Sequence, residues 1–179
     1  MAESFVNSVT RAVGVVTSSS AGAVGVQTNL ITGITTTNVT VGDLVENSNY
    51  IAGTKVSSIG VNSTTCDRDS TNTTAATSQS VKYLGLTTAY TSASGTKSII
   101  IGGTFANNTS NEVELTVHLY DNSASLTPAI ISKVPVPNGS SFVLSDTGKT
   151  VLEGLDAIRV YCDTANGVDV QLGILKGVS

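Results

Sequence analysis

The chain has 179 residues, a formal net charge of -4, 12% charged and 40% hydrophobic residues, one His and no Trp. That length can bury a real core in one ordinary domain or two small ones, and the apolar content is too high for a disordered chain. Nine Lys and Arg without a basic cluster point away from a nucleic-acid binder, and no segment has the length and apolarity of a membrane-spanning helix.

Thr and Val favour pleated, half-buried strands, while Asn, Gly and Ser supply turns, so an all-β chain is expected. Glu3 stands where a secretory signal would be positive, which suggests a protein made in a cytoplasm. Residues 1–23 show no core pattern of their own and are read as an extended N-terminal arm, ordered against a neighbour. Residues 24–80 form a small Gly/Thr-rich β-module, with strands over Val24 to Ile34, Val39 to Val45 and Thr54 to Val61. Gly33, Gly42, Gly53 and Gly60 mark the turns of this barrel-like or meander unit. The stretch TNTTAATSQS, Thr71 to Ser80, is polar and aperiodic and is read as a linker.

Residues 81–179 read as an antiparallel β-sandwich or jelly roll. Short strands fit Val81 to Leu86, Ile130 to Val134 and Ser141 to Leu144. In KSIIIGGTFA, Ile99, Ile101, Gly103 and Phe105 share one face, and Gly102-Gly103 marks a bulge or a close backbone approach. EVELTVHLY places Val113, Leu115, Val117 and Leu119 inside, with Glu112, Glu114, Thr116, His118 and Tyr120 outside. AIRVYC turns Ile158, Val160 and Cys162 inward and Arg159 and Tyr161 outward; VDVQLGIL buries Val168, Val170, Leu172 and Ile174. Turns fall at Asn107-Asn108, Asp121-Asn122, Pro137 to Gly139, Asp146 to Gly148 and Asn166-Gly167. Asn138-Gly139 and Asn166-Gly167 are the strongest hairpin signals.

Few residues suggest chemistry, and no catalytic, cofactor-binding or metal-binding residue is assigned. No GxGxxG or GxxxxGK[ST] occurs, and no GxSxG elbow accompanies His118, which reads as an exposed strand histidine. Asp67 to Asn72 resembles the opening of a calcium loop, but Ser78 stands where the bidentate Glu belongs, so a surface turn is preferred. Glu153 and Asp156 are close enough in sequence for an acid/base pair, yet sit in a tight inter-strand connection where turn chemistry is the better account. Cys66 and Cys162 lie outside any CxxC and are read as two thiols, Cys162 on a buried strand face. Sequons at Asn38, Asn62, Asn72, Asn107, Asn108 and Asn138 are read as coincidence in an Asn/Ser/Thr-rich chain.

From Gly95 onward the order GTKSIIIGGTFANNT, EVELTVHLYD, KVPVPNGSSFVL, GKTVLEGLDAIRVYC, VDVQLGIL resembles small virion structural proteins of tailed bacteriophages, especially marine cyanophages. The matching positions are Lys97, Ile99 and Ile100, Ala106 and Asn107, Pro135 through Ser141, and Lys149 through Ile158. Relatives often have Gly before the Asp of the last turn, where this chain has Leu155. The first half is similar to a second phage module, matched by Thr32-Gly33-Ile34, Val41 to Val45, Ile51, Gly53-Thr54, Val56 and Ser58 to Gly60.

The resemblance implies a non-enzymatic virion component without cofactor, assembled in the host bacterial cytoplasm. A capsid decoration protein comes first, binding copies of itself and the major capsid protein. A neck, collar or tail protein contacting the corresponding virion proteins is the alternative. A fibre-type receptor-binding module ranks lower, with Tyr83, Tyr90, Tyr120 or Tyr161 as sugar-stacking candidates.

Overall fold

The computed structural model describes residues 3–145 and 149–178. Among them there is no helix, and the strands pair antiparallel throughout. The turn expected at Asp146 to Gly148 lies outside the described residues. Two compact units divide the chain. Strand β1 (Ser4–Val13) belongs to the first. Strands β2 (Val15–Val24), β3 (Leu30–Thr32), β4 (Leu44–Glu46), β5 (Val56–Gly60), β6 (Ser63–Cys66) and β7 (Ala76–Gly85) make the second. The first resumes with β8 (Thr87–Thr91), β9 (Lys97–Asn107), β10 (Val113–Tyr120), β11 (Ala129–Val136), β12 (Ser141–Leu144), β13 (Thr150–Leu152), β14 (Ala157–Cys162) and β15 (Val168–Val178).

The first unit has two sheets. One runs β1-β15-β9-β12, with β13 also on β9; the other runs β11-β10-β14-β8. Val13, Ile100, Phe105, Leu172 and Ile174 from the first sheet share a core with Leu115, Val117, Ile158 and Val160 from the second, as in a β-sandwich. The alternation read in residues 112–120, 157–162 and 168–175 is the buried phase in each case.

Strand β9 departs from its expected phase. Ser98 and Ile100 are buried at its start, Phe105 and Asn107 at its end, and Ile101 is 38% exposed. The register against β15 slips between Gly173 and Ile174, so Ile101 is the extra residue of a bulge that swaps the inward face. Gly103 beside it permits close packing: a Cβ there would lie 2.7 Å from Leu172 Cδ2.

The second unit, Gly14–Leu86 with Asp163–Ala165, is one sheet in the order β4-β7-β2-β3-β6-β5. Its ends meet: Gly42 N and Val45 N donate to Val56 O and Thr54 O at 2.9 and 2.8 Å, and Val56 N donates to Asp43 O at 2.9 Å. The sheet thereby closes into a small barrel around Ile31, Ile34, Val45, Tyr50, Cys66, Val81 and Tyr83. Gly42 and Gly53 turn the chain at φ +98 and +77. The buried Asp43 ties the wall together, accepting from Thr17 Oγ1, Thr40 N and Thr40 Oγ1 at 3.0, 3.0 and 2.7 Å.

Three expectations are corrected. Of the expected arm over residues 1–23, the stretch from Ser4 to Ala23 forms strands instead: β1 pairs along β15, and β2 sits between β7 and β3. Their Ser-rich sequence hides the strands because a ladder can satisfy the backbone whatever the side chains are. Second, Ala76–Ser80 continue β7 against β2, so the linker reading fails there, and the units part at Leu86/Thr87 instead of residue 80. Third, neither Asn138-Gly139 nor Asn166-Gly167 makes a hairpin. Each is a turn, with Gly139 at φ +66 and Asn166 at φ +55, but the strands that it joins belong to different sheets. Turn chemistry sets the reversal; burial of the next strand's apolar face sets the sheet.

Candidate functional site

Two buried polar side chains of the sandwich, Asn107 and Asp156, are structural hubs. Asn107 is 6% exposed, and its Nδ2 donates to Asn111 O, Val136 O and Pro137 O at 2.7, 2.8 and 3.2 Å. Its Oδ1 accepts from Thr109 N and Oγ1, both at 2.8 Å. A buried amide bonded on both sides is no glycan acceptor. Asp156, also buried, accepts from Asn122 N and Glu153 N, each at 2.9 Å. Glu153 points away to Lys97 at 3.6 Å, so the two carboxylates do not work as a pair. Leu155 stands at φ +72, the left-handed conformation for which glycine is preferred.

The calcium-like stretch is likewise spoken for. Asp67 Oδ1 accepts from Lys55 N at 2.9 Å, Ser70 Oγ accepts from Thr28 N at 3.1 Å, and Thr71 N donates to Asn49 O at 2.8 Å. These bonds fasten a loop to the barrel. Among the described residues no group of three or more His, Cys, Asp or Glu could hold a metal ion.

Cys66 and Cys162 are both buried and not joined in a disulfide. In the barrel, burial pushes the Cys66 thiol up to about 11 and the Tyr83 phenol up to about 12. Burial raises Tyr50 as well. Tyr83 and Thr64 share a buried hydrogen bond of 2.7 Å. An open cleft of about 570 Å³ in this unit is lined by Glu46, Asn47, Tyr50, Lys82, Asp163 and Thr164 among others. Its polar groups largely serve one another: Glu46 bonds Lys82 at 2.8 Å and accepts from Ala165 N at 3.1 Å, and Asn47 donates to Ser80 O at 2.7 Å.

The four tyrosines proposed for stacking separate. Tyr83 is fully buried, and Tyr90 packs against the sandwich core with its hydroxyl on Ser98 Oγ at 2.9 Å. Tyr120 and Tyr161 reach the same surface, the outer face of the β11-β10-β14-β8 sheet. There the β10–β14 register sets His118 opposite Arg159 and Thr116 opposite Tyr161. The Arg159 guanidinium lies 3.7 Å from the centre of the Tyr120 ring, and the His118 and Tyr161 rings meet edge-on at 5.5 Å and 79°. His118 Nδ1 is 2.9 Å from Thr127 O. A carbonyl only accepts, so Nδ1 carries the proton and the ring orientation is fixed.

This row of Tyr161, His118, Arg159 and Tyr120 gathers the single His and two of five Tyr in the chain. It is half-buried, rigid and amphipathic, the composition of contact hot spots. His118 Nε2 is buried without a hydrogen-bond partner. The alternation shows these side chains to be outward; the pairing of β10 with β14 makes them neighbours.

No known protein family, curated protein or solved structure matches this chain.

Proposed function

We propose that the protein is a non-enzymatic structural component of a tailed-phage virion, first of all a capsid decoration protein that binds the assembled particle and stabilises it. The observation that carries this reading is the strand order. Sheets ordered β1-β15-β9-β12 and β11-β10-β14-β8 interleave both ends of the unit, and we read them as a jelly roll, with β12 and β13 as one interrupted strand. Jelly rolls include viral capsid and lectin domains and cupins; the motif resemblance selects the virion among them, because fold alone does not fix function. The motif positions Asp43, Asn107 and Asp156 are buried hubs, which suits a sequence signature of architecture rather than of catalysis. The Tyr/Arg/His face supplies a contact surface for a particle protein, and binding to the assembled shell would stabilise it by mass action.

A neck, collar or tail position is the second reading. The same Tyr120, Arg159, His118 and Tyr161 face also favours a receptor-binding module, since aromatic rings with adjacent donors suit sugar surfaces. Quantitative mass spectrometry of purified virions, scaled to the major capsid protein, tests all three. On the order of hundreds of copies fits decoration, whereas roughly five to twelve fits a ring or fibre. Absence from the particle overturns the virion reading.

A further inference from the structure

Sheet edges expose unpaired backbone groups and are normally short, bent or charged. Three of the four edges of the sandwich obey that rule. Strand β8 has 5 residues, while β12 and β13 have 4 and 3. Strand β11 has 8, but it carries Pro135, a positive φ of 52 at Lys133 and two register shifts. The fourth edge, β1, does not. Although a register shift after Thr10 and a positive φ of 60 at Ala12 bend its last residues, it pairs regularly with β15 over the seven residues Ser4 to Thr10 and has no charged side chain there. Its outward side chains include Phe5 at 77% and Val9 at 67% exposure. The barrel meanwhile joins the ends of its own sheet.

The exposed face of β1 reads Glu3, Phe5, Asn7, Val9, Arg11. That order is self-complementary. Laid antiparallel against a copy of itself with Asn7 opposite Asn7, it sets Phe5 opposite Val9 and Glu3 opposite Arg11, each twice by symmetry. Aromatic–β-branched and opposite-charge pairs are both favourable cross-strand neighbours, whereas like charges directly opposite are not. A one-residue slip would put Glu3 opposite Thr10 and Phe5 opposite Ser8, breaking each match and turning them to opposite faces. Arg11 keeps donors to spare, since its contact with Asp169 uses Nε at 3.7 Å.

We propose that β1 is a homodimerisation edge: a second copy of the chain adds its β1 antiparallel across a two-fold axis at Asn7, joining two sandwich sheets into one continuous sheet. A two-fold interface must be self-complementary, and main-chain bonding between edges supplies affinity while the side-chain pairs set the register. The inference goes beyond the virion reading and does not depend on it, because every residue it uses lies in one strand and its neighbours.

Two measurements on the full chain test it. Sedimentation equilibrium over about 1 to 100 μM should show a monomer–dimer equilibrium. Phe5→Lys, on an exposed position outside the core, should weaken it by about tenfold or more, with the melting curve unchanged at a concentration low enough that both proteins are monomeric. Oxidation of Asn7→Cys should yield a disulfide-linked dimer, since directly opposed Cα atoms lie within the reach of a disulfide. Val9→Cys should not, because its copy would be about 14 Å away along the strand. The native thiols are buried at 2% and 0% exposure and do not compete. A chain that stays monomeric, or that cross-links as well through Val9→Cys as through Asn7→Cys, overturns the proposal.

Discussion

Replacing Asn107 by Asp changes one amide nitrogen for one oxygen at the most heavily bonded polar side chain of the sandwich. The acceptor side survives, because Thr109 N and Oγ1 can still donate to a carboxylate. The donor side does not. Three carbonyls that now receive Nδ2 at 2.7, 2.8 and 3.2 Å would face an anion at a site 6% exposed. Two hydrogens serve those carbonyls, so two bonds are lost at about 1 kcal/mol each. Leaving buried acceptors unpaired against a desolvated charge adds about 2 kcal/mol more. A total near 4 kcal/mol corresponds to a fall of about 8 to 16 °C in melting temperature for a chain of this size.

The pH dependence separates this cause from a packing fault. The site disfavours the charged form, so the folded-state pKa of the new carboxyl is raised above its ordinary value of about 4. Between the two values the folded state binds more protons than the unfolded one, so stability falls as pH rises through that window. The penalty is therefore fully present above the folded-state value. It shrinks as pH falls from that value towards about 4, because the protonated acid can donate one bond again. Thermal melts of Asn107→Asp and wild type at neutral and acid pH check this. A mutant that melts within about 2 °C of wild type at neutral pH, or an equal loss at both pH values, would refute the reasoning.

Four further outcomes follow from the packing. Gly103→Ala should destabilise the sandwich by about 1 to 3 kcal/mol in urea titration, because its Cβ would lie 2.7 Å from Leu172 Cδ2. Leu155→Gly should stay within about 1 kcal/mol of wild type, since relief of the left-handed strain offsets the greater chain entropy of glycine and the missing leucine side chain. Leu155→Val should cost more than that, since branching at Cβ fits this φ worst. The Cys66 thiol, raised by burial from 9.0 to about 11, contributes stability that is complete below pH 9 and lost as pH rises through 11, about 3 kcal/mol at most. Alkaline titration of Cys66→Ala should lack that part of the loss. Deleting residues 2–20 should abolish cooperative unfolding by calorimetry, because it removes β1 and half of the strand between β7 and β3.

The sequence by itself determined the class of the fold and most of its inward faces. Val113, Leu115, Val117, Ile158, Val160, Val170 and Leu172 alternate so strictly that only a one-sided strand accommodates them, and all are buried. Period-two burial is a local property, and local properties are written along the chain. Even the bulge at Ile101 is hinted at by the neighbouring Gly102-Gly103, a break in a strand-like run, although not the face swap that it causes.

Pairing belonged to the tertiary structure. Ser18, Ser19 and Ser20 of β2 pair with Tyr83, Lys82 and Val81 of β7, and Ala21 and Gly22 with Ser80 and Gln79; the sequence signals this ladder only from Val81 onward, because backbone bonds give polar residues as good a place in a closed sheet as apolar ones. Two Asn-Gly turns joined different sheets because the core, not the turn, chose the next strand's partner. The outer-face cluster had the same origin. His118, Arg159, Tyr120 and Tyr161 can be read as outward from sequence, but their two strands lie far apart along the chain, and only the antiparallel register makes them one surface. Side-chain direction depends on neighbours along the chain, whereas strand partnership depends on burying two faces together, and that is decided only when the whole core forms.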